Sequence, residues 1–261
     1  MKYLLYFFLM LSVVVAFGQD YETKQYISQN DTLPYRILLP ENYNPNKSYP
    51  LVVFLHGAGE RGNNNELQLI HGSFLFKSKE FRQKHPAIVV FPQCPKNSYW
   101  ASVQKNQIQK NQIQKKEKKF KFQKKLGTYR TQELLELFLK DLEKLYKIDT
   151  TRRYIGGLSM GGMGTFELVA RMPNYFAAAF AICGGGNPSW SKTLSSTPFW
   201  IFHGSNDLIV SYSYSKRMFR NMKRYNKETR FTTYEGVGHN SWDTAFKELE
   251  LFPWVFSFIK K

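Results

Sequence analysis

Cysteine is scarce in this chain of 261 residues: there are two, Cys94 and Cys183. Two thiols cannot build a disulfide scaffold or a four-cysteine metal knot, and can pair only with each other. Each follows a candidate strand, and their spacing leaves open whether they are joined. Histidine is also rare, with five, none at metal-ligand spacing, so no metal and no cofactor is expected. Acidic side chains are outnumbered, 20 against 37 Lys and Arg, for a formal charge of +17. Such a balance draws nucleic acid, anionic lipid or acidic polysaccharide in a salt-dependent way, and names no function. The apolar run from Tyr3 to Phe17 is short for a membrane span, and no stop-transfer pattern follows it.

What is present begins with that run. Met1-Lys2 followed by Tyr3 to Phe17 reads as a secretory signal peptide covering 1–18, with the small residues Ala16 and Gly18 setting cleavage after Gly18. A secreted or periplasmic protein is therefore expected, and no cysteine near the cut offers a lipid anchor. Residues 19–261 suit a single domain of α/β type. Residues 102–125 hold nine lysines and one glutamate, and repeat Lys-Asn-Gln-Ile-Gln at 105–109 and 110–114. Low complexity and little apolar surface predict a mobile insertion that makes weak electrostatic contact with acidic surfaces. Specific nucleic-acid binding has no further support, because the segment offers no recognisable fold.

Strand and helix patterns alternate along the rest. Tyr21–Gln29 and Thr32–Leu39 read as an antiparallel pair. Pro50–Leu55 and Ala87–Phe91 are continuous apolar runs, the mark of strands buried on both faces. Leu67–Phe76 is a weak helical segment, with His71 a packed or capping residue. Thr131–Tyr146 is amphipathic, with Leu134, Leu135, Phe138, Leu142 and Leu145 on one stripe. A strand opening at Arg153 and turning at Gly157 follows, then strands at Phe176–Cys183, Phe199–Phe202 and Arg230–Tyr234, with a helix at Tyr212–Tyr225. A last helix carries Phe246, Leu249, Leu251 and Phe252, and Pro253 is expected to interrupt it. The alternation predicts a mostly parallel sheet of about eight strands with helices on both faces.

Gly157-Leu158-Ser159-Met160-Gly161 sits between such a strand and a segment of helical composition. A Gly-x-Ser-x-Gly there is a nucleophile elbow: the turn is so tight that both flanking positions must be glycine, and the serine hydroxyl stands clear of the sheet. A serine hydroxyl needs an adjacent base, itself oriented by an acid. In this fold the order is Ser, then Asp or Glu, then His. Only His203 and His239 follow Ser159, and the only aspartate before His239 is Asp207, in a loop just after a strand. Glu167, Glu228 and Glu235 are not so placed, and His203 precedes the acid and is read as capping its strand. Ser159, Asp207 and His239 are the expected catalytic residues. The Met160 N–H, first of the helix, and the Ala58 N–H in His56-Gly57-Ala58-Gly59-Glu60-Arg61-Gly62 are the expected oxyanion donors, with Gly57 the alternative to Ala58. Glu60 and Arg61 are read as an internal ion pair bracing that loop. Trp100, Trp190 and Trp242 are candidate cleft aromatics.

The motifs around His56, Ser159, His203-Gly204-x-x-Asp207 and Gly238-His239-x-x-Trp242 together resemble bacterial secreted esterases of the α/β-hydrolase superfamily. That group includes feruloyl-esterase-like and polyester-depolymerase-like enzymes and predicted peptidases related to the prolyl oligopeptidase catalytic domain. The resemblance runs from about Tyr35 to the C-terminus, and the lysine-rich insertion departs from it. It implies a secreted serine hydrolase acting on carboxylic esters, carbohydrate-linked acyl or aryl esters foremost. A serine peptidase is the alternative, and a non-catalytic binder of acidic glycans through residues 102–125 is a reading from another class.

Overall fold

A computed structural model describes residues 20–28, 31–105 and 120–260. The expected leader at 1–18, the Gln29-Asn30 turn and residues 106–119 of the insertion lie outside the described residues.

Eight strands form one sheet: β1 (Glu22–Ser28), β2 (Asp31–Leu38), β3 (Tyr49–Leu55), β4 (Ile88–Pro92), β7 (Ile148–Leu158), β8 (Ala178–Ile182), β9 (Phe199–Gly204) and β10 (Arg230–Tyr234). Their order is β1-β2-β4-β3-β7-β8-β9-β10. The pairs from β4 to β10 are parallel, while β2 runs antiparallel to both β1 and β4. The expected α/β architecture therefore holds. Parallel strands need crossovers, and these place helices on both faces. Along β3, Leu51, Val53 and Leu55 enter one core layer and Val52 and Phe54 the other, as a two-residue period requires.

The first layer is closed by α3 (Arg130–Leu145), α4 (Met160–Arg171) and α5 (Tyr212–Met222), through Leu135, Phe138, Met163, Phe166 and Met218. The second is closed by α1 (Ser73–Lys77), α2 (Lys79–Lys84), α6 (Trp242–Ala245) and α7 (Leu251–Phe256), through Phe76, Phe81, Ala245, Leu251 and Trp254. On the stripe of α3 the expectation fails at Leu145, which is 69% exposed at the last turn, where the chain has already begun to leave for β7.

Two predicted helices are broken. Leu67–Phe76 divides into a 3-10 turn (Leu67–Leu69) and α1, because Gly72 between them adopts φ 85. The terminal helix divides into α6 and α7 ahead of Leu251, with Pro253 inside the first turn of α7, where its missing N–H costs nothing. Leu249, in the gap, is 86% exposed.

The flanks of the lysine-rich stretch are regular structure: β5 (Val103–Lys105) and β6 (Phe120–Phe122) pair antiparallel as a small second sheet. Both are tied down. Buried Glu167 accepts hydrogen bonds from the Ser102 N–H (2.7 Å) and hydroxyl, and is held by Arg171. The Phe120 N–H donates to the Tyr214 hydroxyl (2.9 Å), and Trp190 Nε1 donates to Lys124 O (3.1 Å).

Candidate active site

The carboxyl ends of β3, β7, β9 and β10 carry the loops that hold the sequence candidates. At the end of β7 the chain reverses into α4 through Ser159, at φ 53 and ψ −114, a region a side-chain-bearing residue enters only under tertiary constraint. The constraint is close backbone approach. A methyl group on Gly161 would lie 1.8 Å from Leu55 O, and one on Gly157 2.6 Å from the Gly161 carbonyl carbon. Only hydrogen fits at either position. Ser159 thus opens α4, and the Met160 N–H, in the first turn, has no carbonyl four residues back to meet it.

Ser159 Oγ lies 2.9 Å from His239 Nε2, and His239 Nδ1 lies 2.7 Å from Asp207 Oδ2. A carboxylate only accepts, so His239 Nδ1 carries the hydrogen and its Nε2 accepts from the Ser159 hydroxyl. Asp207 is saturated with donors. Its Oδ1 accepts from the Ile209 and Val210 N–H groups (2.8 and 2.9 Å), and its Oδ2 also accepts from His203 Nε2 (3.0 Å). Burial pushes this carboxyl up, but the His203, His239 and Val210 hydrogen bonds and the His239 charge outweigh it. Asp207 is held well below the usual carboxylate range.

His203 is not a strand cap, as the sequence suggested. It is fully buried beside the acid, its Nε2 shared between Asp207 and Val210 O (2.9 Å) and its Nδ1 2.7 Å from the Ser215 hydroxyl. Ser215 in turn donates to Gly184 O (3.0 Å). The His-Gly-x-x-Asp spacing was visible; that the first residue turns back onto the fifth was not.

The second loop comes alongside the nucleophile: the point a Gly57 Cβ would occupy is 3.8 Å from Ser159 Cβ. The expected Glu60–Arg61 ion pair is not what braces it. Arg61 donates to Ala58 O (2.9 Å) and Ser98 O (3.0 Å), which fixes the Ala58–Gly59 peptide, and Glu60 points the other way, toward histidines. Buried His56 donates through Nδ1 to Gly57 O (2.6 Å) and accepts the Cys94 N–H on Nε2 (2.9 Å). Burial pushes it down to about 4, so it is neutral at ordinary pH.

Two of the three candidate cleft aromatics do not face a cleft. Trp100 is fully buried, edge-on to His56 at 5.3 Å, because Gly164 on α4 leaves room for it to sink against the helix. Trp190 is buried on the Lys124 carbonyl. Trp242 does sit at the site, its ring 5.5 Å from His239 and 5.3 Å from His71.

Both cysteines are free and buried. Burial pushes the Cys94 thiol up to about 12, and burial with the Asp207 charge pushes Cys183 up as well, so neither is a ready thiolate. Cys183, Asp207 and His239 offer ligand atoms within 4.8 Å of one another, the only such group among the described residues. Asp207 and the Nδ1 of His239 are already engaged with each other, and His239 Nε2 with Ser159.

Residues 28–255 match the profile of the family described as "Putative esterase". The chain is 28% identical over 188 residues to the bifunctional acetylxylan esterase/xylanase XynS20E of Neocallimastix patriciarum, covering 72% of this chain and 23% of that protein. It is 23% identical over 217 residues to a probable feruloyl esterase C of Aspergillus oryzae, covering 82% of this chain and 70% of the relative. A thermostable esterase of known crystal structure superposes with a TM-score of 0.80 at 32% identity, over 92% of this chain and 63% of that one. The chain thus spans under a quarter of the first relative's length and under two thirds of that esterase's.

Proposed function

From the premise that the chain belongs to the Esterase family, we propose that it is a serine hydrolase of carboxylic esters, with Ser159 as nucleophile, His239 as base and Asp207 as the acid that orients it. The observation that carries this is the hydrogen-bonded line from Ser159 Oγ through His239 to Asp207, at 2.9 and 2.7 Å. Ser159 Oγ attacks the ester carbonyl carbon as its proton passes to His239 Nε2. The Met160 and Ala58 N–H groups receive the developing oxyanion, each worth roughly 10²–10³ in rate. His239 then gives that proton to the departing alcohol, leaving an acyl group on Ser159. Water then enters where the alcohol left, passes a proton to the same His239 Nε2 as it attacks the acyl carbon, and that proton returns to Ser159 Oγ as the acid departs.

The substrate class we propose is a carbohydrate-linked acyl or aryl ester, supported by the acetylxylan and feruloyl esterases among the relatives. Export through the leader at 1–18 accords with a polymeric substrate met outside the cell. The test is hydrolysis of p-nitrophenyl acetate and methyl ferulate by wild type beside Ser159→Ala. A loss of about 10³-fold or more is expected. Equal activity in the two proteins refutes the assignment of Ser159.

A further inference from the structure

Glu60 is 9% exposed, and its Oε2 is sealed from solvent without a hydrogen-bond partner. Neither oxygen accepts a hydrogen bond among the described residues, a condition that costs a buried carboxylate free energy unless something else supplies the donor. The neighbours are already committed. His56 spends its Nδ1 hydrogen on Gly57 O, and Arg61, the next residue, spends its guanidinium on Ala58 O and Ser98 O. His71 Nε2 is 3.9 Å from Glu60 Oε1, too far for a direct hydrogen bond.

That gap fits a hydroxyl, which can donate to Oε1 and meet Nε2 at the same time. An aliphatic alcohol without further hydroxyls cannot. The position relative to the reaction centre is defined on both sides. The point a Gly57 Cβ would occupy is 2.9 Å from Glu60 Oε2 and 3.8 Å from Ser159 Cβ. From His239 the rings of Trp242 and His71 lead in turn to Glu60. The departing alcohol must bring its oxygen to His239 to take a proton, so the rest of that alcohol lies toward this row of side chains.

We propose that Glu60 and His71 form a subsite for the alcohol half of the substrate, binding a free hydroxyl of a polyhydroxylated, sugar-like leaving group across the face of Trp242. This rests on the ester-hydrolase reading above and deepens it: the sugar is recognised by a carboxylate–imidazole pair beside the oxyanion loop.

The experiment compares two esters with the same acyl group, methyl acetate and a mono-acetylated methyl xyloside, by titrating the acid released. Wild type, Glu60→Gln and His71→Gln are measured, with p-nitrophenyl acetate as a common reference. Expected is a fall in kcat/KM on the xyloside ester of at least about tenfold in each variant, mostly through KM, with methyl acetate and p-nitrophenyl acetate changed less than about threefold. Equal losses on all three esters overturn the subsite and make Glu60 a brace of the loop. Full activity of both variants on the xyloside ester also overturns it, as does a wild type that prefers methyl acetate. A wild type inactive on p-nitrophenyl acetate defeats the ester-hydrolase reading itself. If Glu60→Gln fails to fold, the partly exposed His71 position decides the outcome alone.

Discussion

Asp207 and Glu60 are both buried carboxylates set between two imidazoles, yet they are treated in opposite ways. Asp207 takes four hydrogen bonds at 2.7 to 3.0 Å, two from backbone N–H groups and one each from His203 and His239. Glu60 sits 3.9 Å from both His56 and His71 and takes none among the described residues. A saturated carboxylate is fixed in one rotamer and one charge state, which suits a group that must hold an imidazole still. An unsaturated one keeps its capacity to accept, which suits a group that must meet something from outside. The same pair of residue types serves for holding or for receiving, and the difference is about one ångström of separation.

The largest effect should come from breaking the saturated side. Asp207→Asn keeps the shape but puts an N–H or a weaker acceptor where two imidazoles need a carboxylate. A drop in kcat of about 10³–10⁴-fold is expected, measured on p-nitrophenyl acetate, with KM little changed. Stability should fall as well, and the sign of its pH dependence follows from the depressed carboxyl. Asp207 stabilises the fold at every pH above the ordinary carboxylate range and loses that contribution only as pH falls through its own, lower value. Denaturant midpoints for wild type and Asp207→Asn should therefore differ at pH 7 and converge only in strong acid.

His203 offers a smaller break. His203→Phe fills the same buried space and donates nothing to Asp207. The loss of one hydrogen bond to a charged acceptor should cost about 1.5–3 kcal/mol of stability by urea titration. If His203 positions the acid, kcat should also fall about tenfold at unchanged KM. Lost stability with intact kcat would make it a purely structural residue.

His56, one of the two imidazoles beside Glu60, gives a third measurement. Its ordinary value of 6.5 is pushed down to about 4 by burial. The unfolded chain therefore takes up a proton first, and stability declines as pH falls from 6.5 toward 4, by up to roughly 1.4 kcal/mol per pH unit. His56→Gln should flatten that slope in a series of urea melts.

The smallest effect, and the one of opposite sign, is expected at Glu60. Glu60→Gln removes a buried carboxylate that no hydrogen bond compensates, so the thermal midpoint should hold or rise, by the equivalent of about 1 kcal/mol. A marked destabilisation would mean that Glu60 is satisfied in solution, and the contrast with Asp207 would close.

The legibility of these groups in sequence follows the same division. Ser159 could be singled out because the strand-to-helix turn demands glycine on both sides, and Asp207 and His239 because each ends a strand in the required order. The sheet was equally readable, since β3 and β4 are uninterrupted apolar runs. His203 and Glu60 were not readable in their roles. Each lies in a motif that was noticed, but their partners are set by how a loop folds back, over distances sequence spacing does not encode. Trp100 shows the converse: a loop position at the right edge of the sheet cannot say which way the ring points, and Gly164, 64 residues on, decides that it points inward. The break before α1 turned on the backbone of a single glycine, Gly72.

The two short strands that flank the lysine-rich stretch have a practical meaning of their own. Because β5 and β6 pair side by side, Lys105 and Phe120 lie opposite each other, with Glu167, Tyr214 and Trp190 pinning the two flanks. Whatever length of sequence joins two such paired ends hardly changes the cost of closing them, since that cost grows only with the logarithm of loop length. Residues 106–119 should accordingly be exchangeable for a two-residue turn, an affinity peptide or an entire second domain, which would make the domain a cassette with a ready-made graft point.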